Sequence, residues 1–177
     1  MSESLVLVLG GARSGKSRYA ESRIAGISAR RVYLATAEAR DEEMAQRIAE
    51  HRRRRGDAWQ TVEEPLELAS ALASAGGAHT AILVDCLTLW LANLIEAGRD
   101  PQAETDRLLA ALPGVGATVI MVSNEVGLGI VPDNAEARRF RDAAGRMHQS
   151  IAARADEVVL VVAGLPHVMK SPEREKA

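Results

Sequence analysis

The stretch LVLVLGGARSGKSRYAE, residues 5–21, decides the fold. It runs from a block of branched aliphatic residues into glycines, and then into a lysine and a serine. Residues 10–17 match the pattern G-x-x-x-x-G-K-[ST] at every position. Because the pattern follows an apolar run and precedes a helical pattern, it predicts a buried strand, a phosphate-binding loop and a helix in succession.

The residue types of this loop suit a nucleoside triphosphate. Glycines let successive backbone N–H groups surround an anion, and the following helix presents its positive N-terminus to it. We expect Lys16 to reach the β- and γ-phosphates and Ser17 to hold Mg²⁺ through its hydroxyl. The predicted nucleotide contacts are Gly10, Gly11, Ala12, Arg13, Ser14, Gly15, Lys16 and Ser17. The loop indicates nucleotide binding but does not indicate which reaction follows.

Further apolar blocks predict the rest of a sheet. With residues 4–10, they cover residues 31–37, 80–86, 118–125 and 157–164. They are nearly continuous apolar runs, which implies burial on both faces, and helical patterns lie between them. We therefore predict an α/β, P-loop NTPase-like, three-layer fold, with a mostly parallel central sheet and helices on both faces. We also predict one domain over 1–177, in which about 165–177 is a polar C-terminal tail that is mobile at its end.

Composition narrows the classes of function. The 177 residues carry a formal net charge of −2, which argues against a nucleic-acid binder. No apolar run reaches the roughly 18 residues of a membrane span, and the N-terminus lacks the features of a signal peptide. Cys86 is the single cysteine, so no internal disulfide forms; we interpret it as a small core residue rather than a nucleophile. Together these features predict a cytoplasmic protein without membrane insertion.

Asp85 ends the apolar run AILVD. Desolvating a carboxylate is costly, so an aspartate at the end of a buried strand rarely serves stability alone. We favour a Mg²⁺-linked role for Asp85, with a helix N-cap as the alternative.

A histidine beside four arginines marks a second segment, residues 41–55. Asp41 can cap a helix in which Met44, Ile48 and His51 share a face. The four residues that follow are Arg52, Arg53, Arg54 and Arg55. One interpretation is a solvated basic helix end. The other is that the arginines bind an anion and favour a neutral His51, whose lone pair could attack phosphorus.

Two later segments leave alternatives open. In WQTVEEP, Glu63 or Glu64 contacts a purine edge or ribose, or occupies a strand end on the surface. The residues Ser123, Asn124 and Glu125 are either substrate contacts or part of a capped loop, with Asn134 or Asp133 capping the next helix. In that helix, core residues are predicted at Phe140, Ala144, Met147 and Ile151, and His148 is predicted to be solvated. The spacing of His79, His148 and His167 does not suggest a zinc site.

Several segments together resemble one family: GGARSGKSRYAE, YLATAEARDEEMAQRIAEHRRRR, WQTVEEPLEL, ILVDCLTLWLANL, SNEVGLGIVPDNAEARRFRDAAGRMHQ and ADEVVLVVAG. The chain resembles the bifunctional adenosylcobinamide kinase/adenosylcobinamide-phosphate guanylyltransferases of cobalamin biosynthesis, to about Gly164. The resemblance implies phosphorylation of a corrinoid, adenosylcobinamide, by ATP or GTP. GMP then passes from GTP through a guanylylated histidine to the phosphate, giving adenosylcobinamide-GDP.

Carried onto this sequence, the family's guanylylated histidine corresponds to His51. Its further GTP contacts fall on Leu34, Ala35, Thr36, Arg52, Arg53, Arg54, Arg55, Glu63 and Asp85. The resemblance also implies a homo-oligomer, often a trimer. The terminal segment SPEREKA departs from the family pattern without affecting a predicted catalytic residue.

Two other functions fit part of the sequence. A monofunctional P-loop small-molecule kinase would use His51 and the arginines only to clamp phosphates. A GTPase switch usually reads guanine through an N-K-x-D stretch, and the sequence contains none.

Overall fold

The computed structural model describes residues 4–27, 29–38, 42, 46, 49–50, 52–53 and 56–172. The strands in these ranges are β1 (Leu5–Gly10), β2 (Arg30–Ala35), β3 (Gln60–Glu63), β4 (Thr80–Asp85), β5 (Thr118–Asn124), β6 (Glu157–Val162) and β7 (Leu165–Lys170). The α-helices with described bounds are α1 (Lys16–Ala25), α2 (Leu68–Ala75), α3 (Leu87–Glu96), α4 (Pro101–Ala111) and α5 (Ala135–Arg154). Short 3-10 helices cover Gly56–Ala58 and Leu112–Gly114.

The described strands form one sheet in the order β3-β2-β4-β5-β1-β6-β7. Strands β1 to β6 pair in parallel, and β7 pairs antiparallel with β6. Each predicted apolar block forms a strand, with ends that lie within two residues of those predicted. The predicted three-layer, mostly parallel fold is therefore confirmed.

Apolar side chains are buried on both faces of the sheet. On one face, Leu7 and Leu34 pack with residues of α2, α3, α4 and α5. On the other, Val8 and Tyr33 pack with Ala20 and other residues of α1. Successive residues of a strand point to opposite faces, so a strand covered on both sides needs an unbroken apolar run.

The prediction of a polar tail from about residue 165 is wrong for Leu165–Lys170, which form β7. The chain reverses through a two-residue turn in which Ala163 has φ 52° and Gly164 has φ 79°. Positive φ at both positions gives the turn a twist that matches a hairpin of two strands. Several side chains of β7 are exposed, as in an edge strand, so its sequence lacks a clear apolar signal. Residues 173–177 lie outside the described residues.

The long helix α5 begins where the sequence predicts. The Oδ1 of Asn134 accepts hydrogen bonds from the backbone N–H groups of Glu136 (2.7 Å) and Ala137 (3.3 Å). Asn134 is therefore the N-cap, and Asp133 is not. The predicted core stripe is buried at Ala144, Met147 and Ile151, while Phe140 is partly buried against the same cluster.

Within the described part of the chain, none of the helices combines the length and the apolar character that a membrane span requires.

Candidate active site

Several of the predicted site residues that the structure describes meet at one edge of the sheet. Because β1 to β6 are parallel, their carboxyl ends lie together, and ligands of open α/β sheets bind outside that edge. Gly10 at the end of β1 is paired with Asn124 at the end of β5. Ala35 at the end of β2 is paired with Asp85 and with Glu63. The phosphate loop, Asp85 and Glu63 therefore share this carboxyl edge.

The phosphate loop turns sharply between β1 and α1. Arg13 has φ 56° and Gly15 has φ 95°, both in the left-handed region, and the backbone N–H of Ser14 donates to the carbonyl of Gly11 at 3.2 Å. Helix α1 has Gly15 at its N-cap, and no side chain caps it. Its first N–H groups therefore point to the loop opening, as an anion site requires.

The β6–β7 hairpin supports the loop from behind. The N–H of Gly164 donates to the carbonyl of Ser14 at 2.8 Å. A Cβ on Gly15 would lie 3.2 Å from the Cα of Gly164, and a Cβ on Gly10 would lie 2.6 Å from the carbonyl oxygen of Val161. Glycine is needed at Gly10 because backbone, and not a movable side chain, fills the space.

Lys16 is a buried cation at the mouth of the loop. It is 9% exposed, and its Nζ donates to the carbonyl of Gly11 at 3.1 Å. Burial lowers the pKa of Lys16, an effect that nearby Cys86 and Asp85 oppose. A desolvated ammonium held by one carbonyl is suited to the oxygens of a phosphate. The Oγ of Ser14 is buried and has no hydrogen-bond partner among the described residues, which adds a second polar group in need of a ligand.

Asp85 is held by a tyrosine from the neighbouring strand. The hydroxyl of Tyr33 donates to Oδ2 of Asp85 at 2.9 Å. The N-cap of α3 is Cys86, which makes no side-chain capping bond, so the N-cap alternative for Asp85 does not hold.

The oxygen donors fit Mg²⁺ carried by a nucleotide. Magnesium usually takes one or two protein oxygens together with substrate phosphates and water. Ser17 and Asp85 supply such oxygens at the carboxyl edge. The described residues contain no group of three or more His, Cys, Asp or Glu side chains that could hold a metal alone, so the phosphates would have to complete the coordination.

Thr36 and Cys86 lock the ends of β2 and β4 together. The hydroxyl of Thr36 donates to the carbonyl of Cys86 (2.8 Å) and accepts from its N–H (2.9 Å). Burial raises the pKa of Cys86 to about 11, and the carboxylate of Asp85 adds to this effect. Cys86 is a buried core residue, as predicted, and its thiol is not activated as a nucleophile. Thr36 and Leu34 are fully buried, so their side chains do not face the edge.

The segment of the predicted nucleophile is described only in part. His51, Arg54 and Arg55, with Asp41, Met44 and Ile48, lie outside the described residues. Glu50, Arg52 and Arg53 are helical and exposed. Arg52 pairs with Glu63 at 3.3 Å, which brings this helical segment to the end of β3.

The two glutamates after β3 differ in their surroundings. Oε1 of Glu64 accepts from the N–H groups of Leu66 (2.9 Å) and Glu67 (2.8 Å), so it serves a local turn. Glu63 is exposed at the carboxyl edge beside Arg52. Glu63 is therefore the better placed of the two for a ligand.

A buried polar network lies behind the end of β5. Ser123 Oγ lies 2.7 Å from Nε2 of His148 and 3.0 Å from Oγ1 of Thr88, and Thr88 accepts from the N–H of Asn124 at 2.7 Å. The prediction that His148 is solvated is wrong, because it is 7% exposed and burial lowers its pKa against the opposing charge of Glu125. Ser123 is fully buried, so it supports the edge without facing a ligand.

Sequence reasoning missed the roles of Tyr33, Thr88 and Asn93. Asn93 Nδ2 donates to the carbonyls of Thr36 (2.8 Å) and Pro65 (3.2 Å), which joins α3 to the ends of β2 and β3. An asparagine within the otherwise apolar helical run LTLWLANLIE was a usable signal. Tyr33 lies in an apolar strand and gave none.

The loop that follows β5 exposes apolar side chains. Leu128 is 84% exposed, Ile130 97% and Val131 61%. Glu125 Oε1 holds the start of the loop by accepting from the N–H groups of Gly127 and Leu128.

The chain matches known proteins over nearly its whole length. Residues 6–169 match a family described as cobinamide kinase / cobinamide phosphate guanyltransferase. The chain is 53% identical to the bifunctional adenosylcobalamin biosynthesis protein CobP of Pseudomonas aeruginosa, over 93% of this chain and 96% of that protein. It is 42% identical to the bifunctional adenosylcobalamin biosynthesis protein CobU of Escherichia coli, over 91% of this chain and 97% of that protein.

Solved structures share the fold at low identity. The flagellar accessory protein FlaH from Methanocaldococcus jannaschii matches with a TM-score of 0.51 at 14% identity, covering 95% of this chain and 78% of that chain. A prototypical ATPase from the type III secretion system of pathogenic bacteria matches with a TM-score of 0.55 at 14% identity, covering 89% of this chain and 51% of that chain. These likenesses support the P-loop NTPase fold and carry no information on substrate.

Proposed function

The chain belongs to the cobinamide kinase / cobinamide phosphate guanyltransferase family, a family of transferases, and we propose that it performs both reactions of that name. It phosphorylates adenosylcobinamide with ATP or GTP, and then transfers GMP from GTP to the product, giving adenosylcobinamide-GDP. The observation that carries this proposal is the buried Lys16 in a braced phosphate loop, at the same sheet edge as the Arg52–Glu63 pair.

In the first reaction, the loop binds the triphosphate through its backbone N–H groups and Lys16. The hydroxyl oxygen of the corrinoid bonds to the γ-phosphorus and loses its proton to solvent, and the bond from that phosphorus to the leaving nucleoside diphosphate breaks. Lys16 faces charge that spreads over the γ-phosphoryl oxygens. Ser17 and Asp85 would hold Mg²⁺, which when bound neutralises charge on the β- and γ-phosphates.

In the second reaction, a ring nitrogen of His51 bonds to the α-phosphorus of GTP as the bond to pyrophosphate breaks. A phosphate oxygen of the phosphorylated corrinoid then bonds to the same phosphorus, and the P–N bond breaks to free the histidine. The contacts proposed for GTP along this edge are Leu34, Ala35, Thr36, Arg52, Arg53, Arg54, Arg55, Glu63 and Asp85.

The test is incubation with GTP labelled at the α-phosphate. We expect a covalent adduct that is labile in acid and stable in alkali, as a phosphoramidate is. His51→Ala should abolish the adduct while leaving phosphorylation of adenosylcobinamide intact. His79→Ala is the matched control, because His79 lies just before β4, at the opposite edge of the sheet from the loop. Labelling of the His51→Ala variant at the wild-type rate would show that another residue is the nucleophile.

A monofunctional kinase is the second candidate. It would phosphorylate the acceptor and give no α-labelled adduct, so the same experiment separates the two. A GTPase switch would turn over GTP without any acceptor, which the proposed enzyme should not do. The single domain, the cytoplasmic location and the homo-oligomer, for which the family resemblance suggests a trimer, stay predictions.

A further inference from the structure

The pair Tyr33–Asp85 lies on the face of the sheet that α1 covers. Ala35 is paired with Asp85 across β2 and β4, and Tyr33 precedes Ala35 by two residues, so all three side chains point to one face. That face carries the α1 residues Ala20 and Ile24, and α1 begins at Lys16. The hydroxyl of Tyr33 therefore contacts Asp85 on the face of the sheet that α1 covers, which is also the face on which Lys16 lies.

Two contacts restrict the side chain of Tyr33, one at its hydroxyl and one at its ring. It is 6% exposed, and its hydroxyl donates to Oδ2 of Asp85 at 2.9 Å. The ring of Trp59 contacts the Tyr33 ring edge to face, with 6.3 Å between centroids and 84° between planes. Such edge contacts restrict the ring, which in turn restricts the direction of the hydroxyl.

We infer that Tyr33 is a positioning residue for the cation that accompanies the nucleotide. Its hydroxyl holds Oδ2 of Asp85 and fixes the plane of the carboxylate, so that Oδ1 would remain available to a bound Mg²⁺. This inference rests on the proposed function, in which Asp85 holds Mg²⁺. Partners that orient a metal-binding side chain in this way commonly change metal affinity by about 10- to 100-fold when removed.

Trp59 connects the Tyr33–Asp85 contact to the segment of the chain that precedes β3. It follows the 3-10 helix Gly56–Ala58, just after the segment that carries His51 and the arginines. A side chain from the end of that segment thus packs on the tyrosine that orients Asp85. Loss of the Trp59 ring should weaken the hold on Tyr33 and produce a smaller effect in the same direction.

The test measures GTP binding by calorimetry, without turnover, as a function of MgCl₂ and again in EDTA. Tyr33→Phe removes one hydroxyl and keeps the ring contact. We expect the Mg²⁺ concentration for half-maximal enhancement of binding to rise about 10-fold or more, while affinity in EDTA stays at the wild-type value. Tyr19→Phe is the matched control, because Tyr19 is the other of the two tyrosines and its hydroxyl contacts Arg23 rather than Asp85.

Asp85→Asn distinguishes a failure of this inference from a failure of the proposed function, in which Asp85 holds Mg²⁺. If Asp85→Asn loses the Mg²⁺ dependence and Tyr33→Phe keeps it at the wild-type level, the role of Tyr33 is overturned and the metal site stands. If Asp85→Asn keeps the dependence, the Mg²⁺ assignment fails and the inference fails with it. An equal loss of affinity for Tyr33→Phe in Mg²⁺ and in EDTA indicates a merely structural role and also overturns the inference.

Discussion

Ser123 and His148 are bonded inside the core, with 2.7 Å between the serine Oγ and the imidazole Nε2, although one lies on β5 and the other on α5. Both are nearly inaccessible to solvent. Thr88 and the N–H of Asn124 continue the contact to the end of β5, which is paired with the start of the phosphate loop. A neutral imidazole therefore forms part of the support of the carboxyl edge.

This pair predicts a pH dependence of stability. Burial lowers the pKa of His148, so between its folded pKa and an unfolded value of about 6.5 the unfolded chain binds more protons. The free energy of unfolding should therefore fall as pH drops below about 6.5, despite the opposing charge of Glu125. His148→Gln keeps an amide for Ser123 but does not titrate. In urea unfolding at pH 7.5, 6.0 and 5.0, the free energy of unfolding of the variant should rise relative to that of the wild type as pH falls.

His148→Leu is the companion variant. It leaves the Ser123 hydroxyl without its imidazole partner, which should cost about 1–3 kcal/mol at pH 7.5. It also does not titrate, so its difference from wild type should shrink towards low pH. If the differences between wild type and both variants are independent of pH, His148 does not change its charge in the way described here.

Lys16→Met should impair both transfer reactions while sparing the fold. The variant keeps the volume of the side chain and removes the charge that meets the phosphates, so we expect a loss of about 100-fold or more in each reaction. Because burial already disfavours the ammonium, the melting temperature should not decrease. Lys170→Met is the control, since Lys170 lies at the far end of β7 and donates to carbonyls of α5. Both losses are expected because we propose that the loop holds the triphosphate in each reaction, and a variant that lost only one of the two would contradict this shared site.

Gly10→Ala and Gly11→Ala form a matched pair. A Cβ on Gly10 would meet Ser14 Oγ at 2.5 Å and the carbonyl oxygen of Val161 at 2.6 Å, whereas one on Gly11 has no neighbour within 4 Å. Gly10→Ala should therefore lower the free energy of unfolding by about 1–3 kcal/mol and distort the loop, and Gly11→Ala should leave stability nearly unchanged. Chemical denaturation together with GTP binding compares the two. Equal effects of both substitutions would be evidence against the close packing of the loop on β6.

Local patterns made the fold and the loop predictable. The motif at residues 10–17 is contiguous, and a strand buried on both faces is an unbroken apolar run, so both can be found without knowledge of distant partners. Strand β7 was missed because an edge strand need not be apolar, and its turn, Ala163–Gly164, lacks the usual Asn-Gly or Asp-Gly signal. The short edge strand β3 (Gln60–Glu63) also lacks an apolar run, so the sequence indicated it only as one alternative, a strand that ends at Glu63 or Glu64.

Contacts between residues that are distant in the sequence could not be predicted from the sequence alone. His148 was predicted to be solvated because it was placed off the buried stripe, but it lies four residues after Ala144 and three before Ile151, so its spacing does fit that stripe. The partner that makes burial tolerable, Ser123, comes from another strand. Tyr33 and Asp85 are likewise 52 residues apart in sequence. Their contact depends on the register of β2 against β4, which no local pattern encodes.

The hairpin behind the phosphate loop has a consequence for biosynthesis on the ribosome. The nucleotide loop emerges early, yet the strands on either side of β1 are β5 and β6, and Gly164 completes its backing. The first residue of β1, Leu5, is bonded to Asp156, 151 residues later. A nascent chain therefore has no complete binding loop for GTP until Gly164 has left the exit tunnel, so the nucleotide should affect folding only after nearly all of this domain has emerged.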